Sequence, residues 1–172
     1  MKGMTFTLQM EQYMRQWLVN RLGDPVVFPP QSYENSIILR YISKRTEASC
    51  PAGGRRSCSL PSVEVVIPDS NDKPSEYYHH MGRRGCRALV AAIDNLFRLD
   101  LWSACTPQIY ARVELNAFID EWCERHGIDL DFREAVRQKF YRMRKSYRDK
   151  GIILGKFHEK RYHETGKKRT RP

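Results

Sequence analysis

A chain of 172 residues, 41% hydrophobic and 29% charged, is long enough for one substantial core or for a smaller core with an appended module. No apolar run approaches the roughly 18 residues that cross a bilayer, so a membrane-spanning helix is not expected. Five cysteines, an odd number, follow an N-terminal stretch without an apolar leader, which reads as a reducing cytoplasmic setting with free thiols.

Met10, Tyr13, Met14, Trp17 and Leu18 recur at spacings of three and four, so residues 7–22 read as an amphipathic helix closed by Gly23. Pro25 to Pro30 reads as a short extended segment, too bounded by proline to be a central strand. Ser32 is placed to cap a second helix running from Tyr33 to about Arg45, with Ile37, Ile38, Tyr41 and Ile42 inward. Residues 46–61 combine Gly, Pro and Ser without a period and read as a flexible loop or linker. Val63, Val65 and Ile67 then alternate along a strand ended by Pro68.

Residues 69–82 read as a second loop. A third helix is expected from about Arg83 to Trp102, with Cys86, Leu89, Val90, Ile93 and Phe97 as its inner stripe and Pro107 beyond it. Val113 to His126 form a fourth helix, its buried side Leu115, Phe118, Ile119 and Trp122, with Gly127 as the stop. Asp131 with Glu134 resembles a capping box for a fifth helix. IILGKF, from residue 152, reads as a short strand, and the end of the chain, KKRTRP, as disordered.

The net charge of +10 is unevenly placed. Residues 1–130 carry fifteen Lys and Arg against fifteen Asp and Glu, whereas residues 131–172 carry fifteen against five. The whole excess therefore lies in the last quarter, where it makes a local field that attracts polyanions. On a helical wheel of the fifth helix, Phe132, Val136, Phe140, Met143 and Tyr147 fall within about 80° of arc. Arg133, Arg137, Arg144 and Arg148 form a ridge beside them, with Tyr141 and Lys145 just beyond. Such a ridge suits a helix docked in a groove, where guanidinium groups reach phosphates or base edges while the opposite face is anchored.

Over residues 113–148 the chain resembles the prokaryotic helix-turn-helix family. Gly127 matches the turn glycine, Ile128 the apolar residue after it, Val136 the apolar residue of the second helix and Cys123 the small residue one turn before the glycine. Arg133 departs from the family, which has an apolar residue there. In its organisation the chain also resembles small basic proteins of bacterial phages and integrative elements. The first resemblance implies DNA as the partner, and the second implies cytoplasmic work on DNA or RNA without assigning residues.

Two other constellations carry chemistry-bearing residue types. Asp69, Asp72, Lys73, Glu76, His79 and His80 share one loop and offer the residue types of a metal-dependent nuclease, but in a loop rather than on a strand. Cys50 and Cys58, with His79 and His80, lack the close pairing of structural zinc ligands. Arg83 and Arg84 stand at a helix start, where cations oppose the macrodipole. No phosphate-binding glycine loop or GxSxG occurs.

The expectation is thus a mainly α protein with a few short strands: a body over 1–106, a helix-turn-helix-like unit over 107–157 and a basic tail over 158–172. It is read as a DNA-binding protein and not an enzyme, without metal or cofactor. Arg133, Arg137, Tyr141 and Arg144 are the candidates for reading bases. Lys139, Lys145, Lys150 and the tail with Lys167, Lys168 and Arg169 are the candidates for holding phosphate, and Arg148 is a further nucleic-acid-binding candidate. DNA is favoured over RNA, no membrane is expected, and a second copy or an element-encoded protein is a further candidate partner. The rival readings are a nuclease using the 69–80 loop and a structural or interaction protein of a phage or nucleoprotein particle.

Overall fold

The computed structural model describes residues 3–44, 60–111 and 113–152. The expected 46–61 loop, the strand at IILGKF and the basic tail, with Lys167, Lys168 and Arg169, lie outside these residues, apart from Leu60, Pro61 and Ile152. The architecture is mainly helical with short strands in two small sheets. Two compact units are formed, one by the chain up to Phe97 with His126–Ile128, the other by Arg98–Arg125 with the residues from Asp129.

The first unit begins with β1 (Thr5–Gln9) and α1 (Gln12–Leu22). The helix expected from residue 7 therefore starts later. Phe6 and Leu8 are buried and alternate with exposed Thr5, Thr7 and Gln9, which is the period of a strand and not of a helix. Tyr13, Met14, Trp17 and Leu18 form the buried face of α1 as expected. Gly23 follows at φ 86°, a left-handed conformation that costs glycine little, and its N–H reaches Val19 O at 2.8 Å.

β3 (Ser62–Val66) pairs antiparallel with β1, placing Phe6 opposite Val65 and Leu8 opposite Val63. All four side chains are buried, so one face of the ribbon is core. Val26 extends this sheet by a single residue: its N–H donates to Glu64 O at 2.8 Å and its carbonyl accepts from Val66 N at 2.9 Å. The neighbouring prolines confine the pairing to that residue, since proline has no N–H to donate.

α2 (Tyr33–Tyr41) starts as read, with Ser32 Oγ accepting from Asn35 N at 3.1 Å. It stops one turn short of Arg45 because Ile42 leaves the helix at φ −68°, ψ 137° and enters β2 (Ile42–Lys44). β2 pairs antiparallel with β4 (Tyr78–Met81), so part of the expected 69–82 loop is strand. The released carbonyls at the end of α2 are gathered by one cation. Lys73 Nζ donates to Leu39 O at 2.6 Å, Ile42 O at 3.3 Å and Arg40 O at 3.4 Å.

α3 runs over Arg83–Tyr110, two turns past the expected end at Trp102, and Pro107 lies inside it. Leu89, Ile93 and Phe97 are fully buried on its first half. Phe97 meets Tyr13 at 5.3 Å and Trp17 edge-on at 5.4 Å between ring centroids. Proline removes one helical hydrogen bond, yet Ala111 N still reaches Pro107 O at 3.0 Å and Thr106 Oγ1 bonds Trp102 O at 2.7 Å. Burial of Leu101 and Cys105, both at 0% exposure, offsets the lost bond. The expected division at 106/107 thus falls within a continuous helix.

α4 (Leu115–Arg125) and α5 (Arg133–Asp149) belong to the second unit. Between them Gly127 sits at φ 67° and Leu130–Phe132 form a 3-10 turn. This turn displaces the expected capping box. Phe132, at φ −100° and ψ −4°, precedes α5 without a side-chain cap, whereas a capping Asp needs the extended backbone. Ile119, Trp122, Cys123, Val136 and Phe140 are buried in this unit with Leu101 and Cys105.

Candidate nucleic-acid interface

The cations of α5 divide into two sets with different surroundings. Arg133 and Arg137, on its first two turns, turn toward carboxylates of α4. Arg133 Nη2 lies 3.9 Å from Glu124 Oε2, and its side chain is 21% exposed. Arg137 Nε donates to Asp120 Oδ1 at 2.9 Å while Nη2 bonds Oδ2, a bidentate fork. Nη1 of the same group also reaches Glu134 Oε2 at 3.5 Å. The hydrogen bonds that Arg137 donates to Asp120 raise its guanidinium above its ordinary value. One turn further, Tyr141 Oη donates to Asn116 Oδ1 at 2.7 Å.

These three contacts are one ladder. On α5 the residues are 133, 137 and 141; on α4 the partners are 124, 120 and 116, in antiparallel order. Residues four apart share a helix face, so a single strip of each helix supplies all three rungs. Arg137 and Tyr141 are engaged by hydrogen bonds in two of the rungs, whereas the Arg133 rung is an ion pair at 3.9 Å and leaves Arg133 Nε without a hydrogen-bond partner among the described residues. The signal was present, because Asp120 and Glu124 have the same spacing of four as Arg133 and Arg137. It becomes visible only when the two helices are set side by side.

The second set is different. Between Lys139 and Lys150 the chain carries six Lys and Arg and a single carboxylate, Asp149. Lys139 is half-buried, as is Arg144, while Arg142, Lys145, Arg148 and Lys150 are exposed. Arg142, Arg144, Lys145, Arg148 and Lys150 form no ion pair among the described residues. Arg144, Arg148 and Lys145 fall on one side of the helix within about 100° of arc. The result is a cationic half-helix with few carboxylates nearby.

Aromatic packing fixes this half-helix. Trp102 of α3 lies 5.6 Å from Phe140 and 4.6 Å from Tyr147 between ring centroids, at interplanar angles of 35° and 34°. Phe140 is fully buried, whereas Tyr147 is 40% exposed at the outer end of the group. Sequence reasoning placed Tyr147 in the buried stripe and did not associate it with Trp102.

The loop constellation is occupied differently. Asp69 Oδ1 accepts from Ser75 N at 3.3 Å and from Ser75 Oγ at 3.2 Å, and Lys73 closes α2. His79 and His80 stand on β4. Among the described residues no cluster of three or more His, Cys, Asp and Glu suits a metal ion; Cys50 and Cys58 lie outside them. No helix among the described residues is long and apolar enough to cross a membrane.

The buried thiols have a uniform character. Burial, with a smaller contribution from Cys123, pushes Cys105 up to about 12, and burial with the nearby Asp120 charge pushes Cys123 up to about 11. Both are held as neutral core side chains. No protein-family model, curated protein or solved structure matches the chain.

Proposed function

We propose that this chain is a DNA-binding protein that acts without catalysis, holding the phosphate backbone with the C-terminal half of α5 and the basic sequence beyond it. The observation that carries the reading is the contrast along one helix. Arg133 and Arg137 are matched by carboxylates, whereas Arg142, Arg144, Lys145, Arg148 and Lys150 form no ion pair among the described residues. A rigid row of cations with so few acids beside it suits a polyanion whose charges are regularly spaced. Residues 153–172 add seven Lys and Arg against two Glu, in sequence continuity with that row.

The role of each residue is narrower than the sequence suggested. Arg144, Arg148 and Lys145 contact the backbone, with Arg142 and Lys150 at the flanks. Lys167, Lys168 and Arg169 add contacts that do not depend on sequence. Arg133, Arg137 and Tyr141 keep α4 and α5 in register. The buried Cys123, Ile128 and Val136 and the left-handed Gly127 suit the helix-turn-helix resemblance.

The test is fluorescence anisotropy on a labelled duplex at several salt concentrations. Each phosphate neutralised contributes a log–log slope of about −0.9. Arg144→Ala with Arg148→Ala reduces the slope by about two contacts' worth, while Arg137→Ala leaves it unchanged. Equal binding by wild type and the Arg144/Arg148 double variant would refute the reading.

A further inference from the structure

We infer that Tyr147 is a stacking platform for an unpaired base, so that the favoured ligand is a nucleic-acid strand with at least one base free of its duplex. The inference rests on the proposed nucleic-acid reading and specifies the form of the partner. Tyr147 lies 4.6 Å from Trp102 between ring centroids and is nevertheless 40% exposed. One side of the ring is thus held against a tryptophan that also meets Phe140, which is itself fully buried. A ring restrained in this way loses little further freedom when a planar group stacks on it.

The charge around the ring is complementary to a strand and not to an apolar peptide. Arg144 stands three residues before Tyr147 on the same helix surface, and Lys150, the residue that caps the end of α5, stands three residues after it. Neither forms an ion pair among the described residues. An aromatic face with a cation on each side is the arrangement that binds single strands, with the base on the ring and the flanking phosphates on the cations. A paired base keeps its faces inside the duplex stack and cannot use the ring.

The test uses the full chain and three labelled probes: oligothymidylate, an abasic strand of the same length and charge, and a blunt duplex. Oligothymidylate is expected to bind more tightly than the abasic strand. Tyr147→Leu should weaken the oligothymidylate roughly tenfold while barely changing the abasic strand. Tyr147→Trp should keep the affinity, and its added emission should be quenched by oligothymidylate but not by the abasic strand. A melting curve for each variant separates loss of stacking from loss of fold, and the wild-type comparison of thymidylate with abasic strand needs no variant. If thymidylate and abasic strand bind wild type equally, the platform is refuted while the backbone reading stands. If none of the three probes binds, both fall.

Discussion

Arg137 grips Asp120 through two parallel hydrogen bonds, with Nε 2.9 Å from Oδ1 and Nη2 on Oδ2. The two side chains are 28% and 26% exposed, so the pair is shielded from water on most sides without being fully desolvated. Its loss should weaken the second unit rather than its ligand binding. Arg137→Ala is expected to cost about 1–2 kcal/mol, the range of a half-buried bidentate pair. Arg137→Lys should recover little, because an ammonium offers no fork. A double-mutant cycle with Asp120→Asn, read by urea unfolding, gives the coupling energy; additive effects would show that the fork contributes nothing.

Lys73 should prove structural as well. Its ammonium satisfies carbonyls of Leu39, Arg40 and Ile42 that the end of α2 leaves without helical donors. Lys73→Met keeps the apolar stem and removes the donors, and is expected to destabilise by about 1–3 kcal/mol. Thermal melts test this directly. A stable Lys73→Met protein would mean that water caps these carbonyls equally well.

Phe140 is fully buried and adjoins Trp102. Phe140→Ala should cost about 3–5 kcal/mol through the cavity it leaves. Any loss of nucleic-acid binding in this variant should disappear once affinity is referred to the folded fraction. Binding lost from a fully folded variant would give the ring a direct role.

Alkaline pH should destabilise the second unit. Cys105 rises to about 12 and Cys123 to about 11 from the ordinary 9.0. Below pH 9 the thiols are protonated in folded and unfolded chains alike, and their contribution is fully present. As pH climbs from 9 toward 11 and 12, the unfolded chain ionises first and stability falls. Urea unfolding at a series of pH values is the measurement. Cys123→Ala should lessen the slope above pH 9, and an identical slope in the variant would remove the thiol from the account. In the native state both thiols should also resist thiol-specific labelling.

Local signals were legible without coordinates. The buried face of α1, the Ser32 cap, the alternation of Val63, Val65 and Ile67, and the stripe of Leu89, Ile93 and Phe97 each depend on neighbours within one or two turns. Period and capping chemistry act over that range, and so the mainly helical class with a few strands followed from them. The confinement of positive charge to the last 42 residues was equally a property of the sequence.

What the tertiary structure decided was which of those signals prevailed and what each cation meets. α2 yields to β2 because a partner strand and Lys73, some thirty residues later, take up its backbone groups. α3 passes through Pro107 because burial of Leu101 and Cys105 outweighs one missing hydrogen bond. Arg137 and Arg148 occupy the same ridge on a helical wheel, yet one meets Asp120 and the other no ion-pair partner among the described residues. A wheel shows the direction in which a side chain points along its own helix. The charge waiting there is supplied by another helix, and only folding brings the two together.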